Sequence, residues 1–339
     1  MLRRILLIIN FLLLFLNGNS QDAENGLVNW LTIQEAQEKN KVLPKPFIID
    51  FYTDWCGWCK HMMKTTYSNK FIADYINANF YPVKFNAEGK DTFEYNGKVY
   101  KPLSPNPKTP HEFTIKMLGQ QLSYPSTIFI TNNFQYTLLS QGYLEYNKIE
   151  PLLVFMVENA WRTTSYDEFS KYFTRTFTDT NFAKKPIIKR SFNEAMAMKK
   201  KKNKKVLLYV NAPFCNTGKM MTNATFVDTS IANYINEKFY FIDFNAESGD
   251  TIVHENVAYF KTLINNYPLH TLPLRFSNNK FSLPMTIVLD EDMKTLDVFN
   301  FFFSPAAIKP ALIYFAENKY KKSPWPDFIK EYNKTGINK

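Results

Sequence analysis

The sequence contains two nearly gapless copies of one pattern, and this repeat constrains the fold more than any other feature. Cys56 in the first copy and Cys215 in the second are 159 residues apart. The same offset relates further identical pairs: His111 and His270, Pro125 and Pro284, Pro151 and Pro310. Solenoid repeats have periods of roughly 20 to 50 residues, whereas domains commonly run to about 100 to 200. Each copy is therefore predicted to be a whole domain.

Only the first copy has a second cysteine at the motif. The first copy reads Asp54-Trp55-Cys56-Gly57-Trp58-Cys59-Lys60, and the second reads Pro213-Phe214-Cys215-Asn216-Thr217-Gly218-Lys219. A dithiol needs both sulfurs to cycle between two thiols and a disulfide. The asymmetry predicts one working redox domain fused to one that has lost the reaction.

The elements predicted for the first copy place its motif at the start of a helix. The short apolar run Phe47–Tyr52 is typical of a strand that is buried on both faces of a sheet. Helical spacing follows it over residues 56–64. Further strands are predicted at 80–85, 126–131 and 136–139, the last two as a hairpin, with a closing helix at 149–159. This order of elements predicts an α/β fold.

The first copy resembles the thioredoxin family in this order and in several positions. Asp50 stands six residues before Cys56, Trp55 precedes the motif, Lys60 follows it, and Pro125 lies where the family has a cis-proline. The resemblance covers residues 30–159 and 189–318. It implies two tandem thioredoxin-like domains, each a central mixed β-sheet flanked by helices. The stretch 93–122 is longer than a minimal thioredoxin needs, and in this the chain is similar to exported thioredoxin-like proteins of Bacteroidetes-type bacteria.

The predicted domain boundaries follow the repeat and the composition of the ends. They are a signal peptide at 1–20, an active thioredoxin-like domain at 27–160, a linker with a short helix at 161–185, a degenerate thioredoxin-like domain at 186–320, and a polar tail at 321–339.

The motif spacing suggests a division of labour between the two sulfurs. Cys56 at the helix start meets unpaired N–H groups and the positive end of the helix dipole, which favour the nucleophilic thiolate. Cys59, one turn further and more buried, is predicted to be the resolving thiol. The resemblance implies that Asp50 lies beneath Cys59 and moves its proton.

Further positions around the motif are predicted to contact substrate. They are Trp55, Gly57, Trp58, Tyr124, Pro125 and Ser126. Trp58 stands where the thioredoxin motif commonly has proline, so exposure for partner contact is favoured over ordinary packing.

Three groups of residues have alternative interpretations. Cys56 and Cys59 with His61 and His111 could form a zinc site, but no second cysteine pair exists, so no metal is predicted. His111 and His270 share a position although the second copy lacks the dithiol, which favours a structural role for both. Cys215 is predicted to be a free thiol, inert or merely binding in preference to reactive, although its helix-start position favours thiolate.

The N-terminus is typical of an export signal. Arg3 and Arg4 precede an apolar run of about 12 residues, shorter than the roughly 20 that span a bilayer, and small residues precede a predicted cut near Ser20/Gln21. Cleavage there lowers the net charge of +10 by two. A periplasmic location is expected, so the lysine-rich run 199–205 is interpreted as a solvated loop and nucleic acid is not expected as a partner.

The leading prediction from the sequence is an enzyme, an exported thiol-disulfide oxidoreductase that uses Cys56 and Cys59 and no cofactor. Its expected partners are exported protein thiols or disulfides and an upstream redox partner, and the second domain serves recognition or dimer formation. The alternative is a non-catalytic envelope binding or assembly module that retains the thioredoxin fold. The direction of exchange, whether oxidation, reduction or isomerisation, stays open.

Overall fold

A computed structural model describes residues 26–178, 187–264 and 266–334. Contacts divide the chain into two compact units, 1–157 and 158–339, which are called the first and second units below. The predicted signal peptide lies outside the described residues, as do 179–185 of the predicted linker and 335–339 of the predicted tail. Within the described ranges, no helix is both long and apolar enough to span a membrane.

The first unit alternates helices with strands and carries one small hairpin. Its helices are α1 Ile33–Val42, α2 Gly57–Lys64, α3 Lys70–Asn79, α4 Glu112–Leu118 and α5 Tyr146–Val157. Its strands are β1 Phe47–Tyr52, β2 Tyr81–Asn86, β3 Phe93–Tyr95, β4 Lys98–Tyr100, β5 Ser126–Ile130 and β6 Thr137–Gln141. The strand predicted at Phe47–Tyr52 is confirmed, and the long stretch 93–122 contains β3, β4 and α4.

A four-stranded mixed sheet forms the centre of the first unit. The strand order is β2-β1-β5-β6, with β1 parallel to β2 and antiparallel to β5. The first five residues of β1 are buried, as expected for a central strand with both faces covered. Phe51 packs edge-on against Phe85 and stacks on Phe113, so aromatic rings fill one side of the sheet.

The second unit begins with a helix that precedes its own sheet. Its helices are α6 Tyr166–Thr178, α7 Phe192–Lys199, α8 Asn216–Met220, α9 Thr229–Lys238, α10 Leu272–Phe276, α11 Pro305–Ala316 and α12 Trp325–Lys334. Short 3₁₀ turns lie at Ala160–Arg162 and Lys319–Lys321, and a π turn at Met221–Thr225 continues α8.

The strands of the second unit repeat the order seen in the first. They are β7 Lys189–Arg190, β8 Lys205–Asn211, β9 Phe239–Asn245, β10 Ile252–His254, β11 Val257–Tyr259, β12 Lys261–Ile264, β13 Tyr267–His270, β14 Met285–Leu289 and β15 Thr295–Phe299. The sheet order is β15-β14-β8-β9-β7, so a short fifth strand is added beside β9. Two separate hairpins, β10-β11 and β12-β13, stand where the first unit has only β3-β4.

The lysine-rich run is not wholly a solvated loop, which corrects the expectation for residues 199–205. Lys205 begins β8 and is buried, and its Nζ lies 2.6 Å from Glu291 and 3.1 Å from the amide oxygen of Asn318. Lys199 ends α7 and donates to the backbone carbonyl of Glu291 at 2.6 Å. A buried ammonium requires such partners, and a sequence run alone does not reveal them.

Candidate active site

Cys56 and Cys59 form a disulfide at the start of α2. Cys56 is the N-cap residue of α2 and has extended backbone, so the helix begins directly after this cysteine. The Cys59 N–H donates to Cys56 Sγ at 3.1 Å. Cys59 was expected to be the more buried of the two, but in the disulfide form their exposures are nearly equal, 4% for Cys56 and 3% for Cys59. The bond therefore places both sulfurs in one shielded turn.

Asp50 lies in the middle of β1 and is fully buried. The Tyr67 hydroxyl donates to Asp50 Oδ1 at 3.2 Å, while Oδ2 makes no hydrogen bond of ordinary length and angle among the described residues, although the nearby Thr127 hydroxyl also opposes the rise in the carboxyl pKa. Burial raises the pKa of the Asp50 carboxyl to about 7, against the opposing effects of the Tyr67 hydroxyl and the Lys84 charge. Such a group can hold or release a proton near neutral pH, which is what a proton carrier needs.

Tyr67 was not singled out from the sequence, although the repeat carries a signal for it. At the offset of 159, Asp50 corresponds to Tyr209 and Tyr67 to Phe226. The acid and its hydrogen-bond donor are thus lost together in the second copy, where the rings of Tyr209 and Phe226 pack 4.7 Å apart. Paired substitution of this kind points to a contact between the two positions.

The Trp55 side chain is exposed beside the disulfide. It is 63% exposed, and its indole N–H donates to the Glu88 carboxylate at 3.0 Å. Its ring meets Tyr124 edge-on at 6.0 Å. The structure therefore brings together two of the predicted substrate-contact residues, Trp55 and Tyr124, and adds Glu88 as the residue that orients the indole.

Trp58 belongs to a second exposed aromatic group that the sequence did not reveal. The side chain is 62% exposed and lies 5.5 Å, between ring centroids, from both His61 and Tyr143. The Tyr143 hydroxyl is 3.0 Å from the Thr65 hydroxyl, which fixes the tyrosine ring. Trp58 is thus open to solvent and held by its neighbours, and the chain after β6 supplies part of this surface.

The Tyr124-Pro125 bond is cis, as the resemblance implies. The Pro125 carbonyl accepts the Gly142 N–H at 2.8 Å, so this loop is tied to the end of β6. Ser126 is buried at the start of β5, and its hydroxyl donates to the Ser123 carbonyl at 2.8 Å. Ser126 is fully buried and paired with Phe51 and Gln141 in the sheet, so the structure does not place it at a substrate-accessible surface.

A cleft of about 430 Å³ opens beside Cys59. It is lined by residues that precede and follow Cys56 in the chain and by a lysine of β2: Tyr52, Thr53, Asp54, Cys59, Lys60, Met63, Lys64 and Lys84. Gly57 lies on the exposed side of the same turn. The surroundings of the resolving position are thus accessible and carry more positive than negative charge.

Cys215 is a free thiol, and it is buried. The Glu158 carboxylate lies against it, with Oε2 3.6 Å from Cys215 Sγ. The same carboxylate accepts the Asn216 N–H at 3.2 Å and the Thr217 N–H at 2.7 Å, together with the Thr217 hydroxyl at 2.5 Å. The first turn of α8 is therefore covered by a carboxylate from the same unit.

The expectation that Cys215 favours thiolate is wrong. Burial, reinforced by the adjacent Glu158 charge, raises the pKa of the Cys215 thiol far above its ordinary value. Burial also raises the pKa of the Glu158 carboxyl, although its hydrogen bonds to Thr217 and Asn216 oppose the change. Two of the helix-start N–H groups, those of Asn216 and Thr217, donate to Glu158, and the Gly218 N–H that remains beside the sulfur opposes the rise in the pKa only in part.

Gly218 stands where a resolving cysteine would be, and the Asn211 side chain occupies the place of its Cβ. A Cβ atom at Gly218 would come within 1.9 Å of Asn211 Oδ1. The Tyr209 hydroxyl, at the position of Asp50, donates to the Gly218 carbonyl at 2.8 Å. The second unit has therefore repacked around the glycine.

His111 and His270 have the same hydrogen bonds in the two units. In each, Nδ1 accepts a backbone N–H two residues on, at 3.0 Å for His111 and 3.1 Å for His270. In each, Nε2 lies near a backbone carbonyl, of Asp91 at 2.9 Å and of Asp250 at 3.0 Å. Burial lowers the pKa of both imidazoles. Both nitrogens serve the backbone, so the structural role is supported and His111 has no lone pair left for a metal.

Comparison with known proteins gives a family match over the first part of the chain. A family model described as "Thioredox_DsbH: Protein of unknown function, DUF255" matches residues 19–178. This range contains the disulfide, Asp50 and the whole mixed sheet of the first unit. The match and that architecture support a thioredoxin-like assignment. No curated protein matches the chain.

Several solved structures each match part of the chain. A thioredoxin from Thermus thermophilus is 11% identical, covers 38% of this chain and 85% of its own, and has a TM-score of 0.28. A structure titled DsbH oxidoreductase is 18% identical, with coverages of 37% and 80% and a TM-score of 0.25. A thioredoxin-fold protein from Helicobacter pylori is 14% identical, with coverages of 48% and 94% and a TM-score of 0.29.

Proposed function

We propose that the chain is an exported thiol-disulfide oxidoreductase that exchanges disulfides with protein substrates through Cys56 and Cys59. The observation that carries the proposal is the Cys56–Cys59 disulfide at the start of α2, in the same unit as a buried carboxyl, Asp50, whose pKa is raised to about 7. A thiol-disulfide exchange site needs a reversible pair of sulfurs and a group that takes up and returns protons near neutral pH.

Asp50 is proposed to supply the proton step. When the disulfide is reduced, Cys59 must gain a proton as its sulfur is released, and it must lose that proton before it attacks a mixed disulfide. The Tyr67 hydroxyl holds Asp50 Oδ1 and leaves Oδ2 as the oxygen that carries the proton. Trp55, Gly57, Trp58 and Tyr124 are proposed to line the approach of the substrate.

The remaining parts of the proposal rest on the sequence. The two copies are proposed to be tandem thioredoxin-like domains of the exported type noted for Bacteroidetes-type bacteria, and the similar strand orders support this. Residues 1–20 are proposed to be a signal peptide that directs the chain to the periplasm. The second domain is proposed to serve recognition or dimer formation, since its cysteine is covered and has no partner thiol.

The direct test is exchange by purified residues 21–339. The oxidised chain is mixed with a reduced two-cysteine protein, the reduced chain with its disulfide form, and thiols are counted after acid quenching. We expect exchange in at least one direction far above the uncatalysed rate, and titration against glutathione buffers then gives the reduction potential of the couple. Uncatalysed rates in both directions would leave the binding-module alternative.

Client capture gives the same proposal a second test. In the Cys59→Ser variant, Cys56 can attack a client disulfide but no thiol remains to release the client. Reductant-sensitive adducts should therefore accumulate in the native envelope beyond those of the wild type. Non-reducing gels that show the same bands for both proteins would contradict the proposed resolving role of Cys59.

A further inference from the structure

Two backbone N–H groups at the start of α2, those of Gly57 and Trp58, lie next to the disulfide in the sequence. Gly57 and Trp58 are the first two residues of this eight-residue helix, and both are exposed. Among the described residues, no backbone or side-chain acceptor pairs with either N–H. N–H groups at a helix start carry partial positive charge and bind anions.

The equivalent position in the second unit holds a carboxylate. The counterparts of Gly57 and Trp58 at the offset of 159 are Asn216 and Thr217, and both N–H groups donate to the Glu158 carboxylate. That carboxylate also touches Cys215, the counterpart of Cys56. On the equivalent turn of the second unit, a carboxylate is thus bound directly beside Cys215.

The charges around the two turns differ in a way that favours an acidic ligand on the first. The cleft beside Cys59 is lined by Lys60, Lys64 and Lys84, with Asp54 as its acidic residue. The corresponding residues of the second unit are Lys219, Asn223, Asp243 and Pro213. The nearby Glu88 carboxylate is bound to the Trp55 indole. The first turn therefore has unpaired N–H groups, and the cleft on its Cys59 side, which neither Gly57 nor Trp58 lines, has more lysines than carboxylates.

We infer that the preferred clients carry an Asp or Glu within one or two residues of the reacting cysteine, and that this carboxylate binds the Gly57 and Trp58 N–H groups. This inference rests on the proposed function. In the second unit the bound oxygen is 3.6 Å from the cysteine sulfur. A client carboxylate in the same place lies next to the client sulfur that bonds to Cys56, so only a residue near the client cysteine can supply it.

The exchange step is balanced without another reactant. The client thiolate attacks Cys56 Sγ, a client-to-Cys56 disulfide forms, and the Cys56–Cys59 bond breaks with its electron pair leaving on Cys59 Sγ. Cys59 then takes up one proton. The client carboxylate stays bound to the two N–H groups throughout and orients the attacking sulfur. It takes no part in the bond changes.

The test compares two short peptides that differ by one group, acetyl-Gly-Cys-Gly-Glu-amide and its Gln counterpart. Each reduces the oxidised 21–339 chain in a Cys215→Ser background, and the rate of Cys59 thiol release is followed by quenching and alkylation. Each rate is divided by the same peptide's rate with a small aromatic disulfide, which corrects for thiolate fraction. We expect the Glu peptide to react about five to ten times faster at low salt, and the advantage to shrink at 0.5 M salt.

Two variants locate the effect. Gly57→Pro removes one N–H while keeping a residue suited to the first helical position, and the extended backbone of Cys56 tolerates a following proline. It should lower the Glu-to-Gln ratio, as should the double change Lys60→Gln with Lys64→Gln. Lys116→Gln, an exposed lysine outside the cleft, should leave the ratio unchanged.

The outcomes separate the inference from the function on which it rests. A wild-type ratio near one, with both peptides reducing the disulfide, overturns the inference and leaves the oxidoreductase intact. A ratio that survives both Gly57→Pro and the double lysine change also overturns it. If neither peptide reduces the Cys56–Cys59 bond, the proposed function fails first.

Discussion

The two cysteine turns of this chain share a framework and differ in what surrounds the sulfur. Both follow a buried strand, β1 or β8, and both place a cysteine at the N-cap of the next helix. In the first unit Cys56 is bonded to Cys59, and the exposed side chains of Trp55 and Trp58 lie on either side of it in the sequence. In the second unit the cysteine is covered by Glu158, and the counterpart of Tyr143, Phe302, is buried against Phe169 of α6.

This difference shows that the fold does not depend on the redox chemistry. The strand order survives in the second unit although the partner thiol, the buried acid and the open surface are all changed. What the chemistry requires beyond the fold is local: a second sulfur, a carboxyl with a suitable pKa, and access. Each requirement can be broken or restored separately by substitution.

The largest contrast is expected between the two N-cap cysteines. Cys56→Ser should abolish dithiol exchange, because it removes the sulfur that a client attacks. Cys215→Ser should leave exchange within about twofold of the wild type, since that thiol is covered by Glu158 and is not paired with a second cysteine. Turnover of both variants with one protein substrate tests the pair, and a large loss in the Cys215 variant would mean that the second unit takes part in the reaction.

A large effect on stability is expected from Asp50. A carboxyl whose pKa is raised from 3.8 to about 7 on folding stabilises the folded state below pH 4 and loses that contribution as pH rises to about 7. Between pH 4.5 and 8, the unfolding free energy of the oxidised wild type should fall by about 3 kcal/mol more than that of Asp50→Asn.

Urea unfolding at the two pH values measures this difference. Asp74→Asn, a change to an exposed carboxylate on α3 that pairs with Lys70, is the matched control and should follow the wild type. Equal pH dependence in Asp50→Asn and the wild type would show that Asp50 has an ordinary pKa, and the proposed proton carrier would then be lost.

Removing the cover from Cys215 should expose a reactive thiol. In Glu158→Ala the N–H groups of Asn216 and Thr217 lose their acceptor, water reaches the turn, and the adjacent negative charge is gone. Labelling of the native oxidised chain by a thiol reagent should become at least about tenfold faster. Glu317→Ala is the control, because Glu317 occupies the same repeat position but contacts Tyr234 instead of a cysteine. Equal labelling rates in Glu158→Ala and the wild type would refute this account of the cover.

The smallest effect is expected from restoring the missing cysteine. Gly218→Cys should destabilise the chain by about 1 to 3 kcal/mol and form no disulfide with Cys215, because its Cβ would meet the Asn211 amide. Adding Asn211→Ala should relieve the clash and allow the bond. Mass spectrometry after alkylation under non-reducing conditions distinguishes the two, and efficient disulfide formation in the single variant would contradict the steric explanation.

Much of the first unit could be predicted because local sequence specifies it. The apolar run of β1, the spacing of the two cysteines and the proline before β5 each act within a few residues, and the structure has the strand, the disulfide and the helix start where these patterns predict them. The repeat also shows that Asp50 and Tyr67 are replaced together by Tyr209 and Phe226. The sequence alone does not show that Asp50 and Tyr67 are in contact, so the reason for the paired change came from the structure.

The sequence by itself determined the repeat, the loss of the second thiol and the positions of the central strands, because these depend on residue identity and short-range periodicity. Only the tertiary structure decided that Glu158 caps the turn of Cys215, that Asn211 fills the space beside Gly218 and that Tyr143 joins Trp58 at the disulfide. These contacts join residues far apart in the chain, and burial then sets the pKa values. The same helix-start cysteine is therefore part of a disulfide in one unit and a protonated, covered thiol in the other.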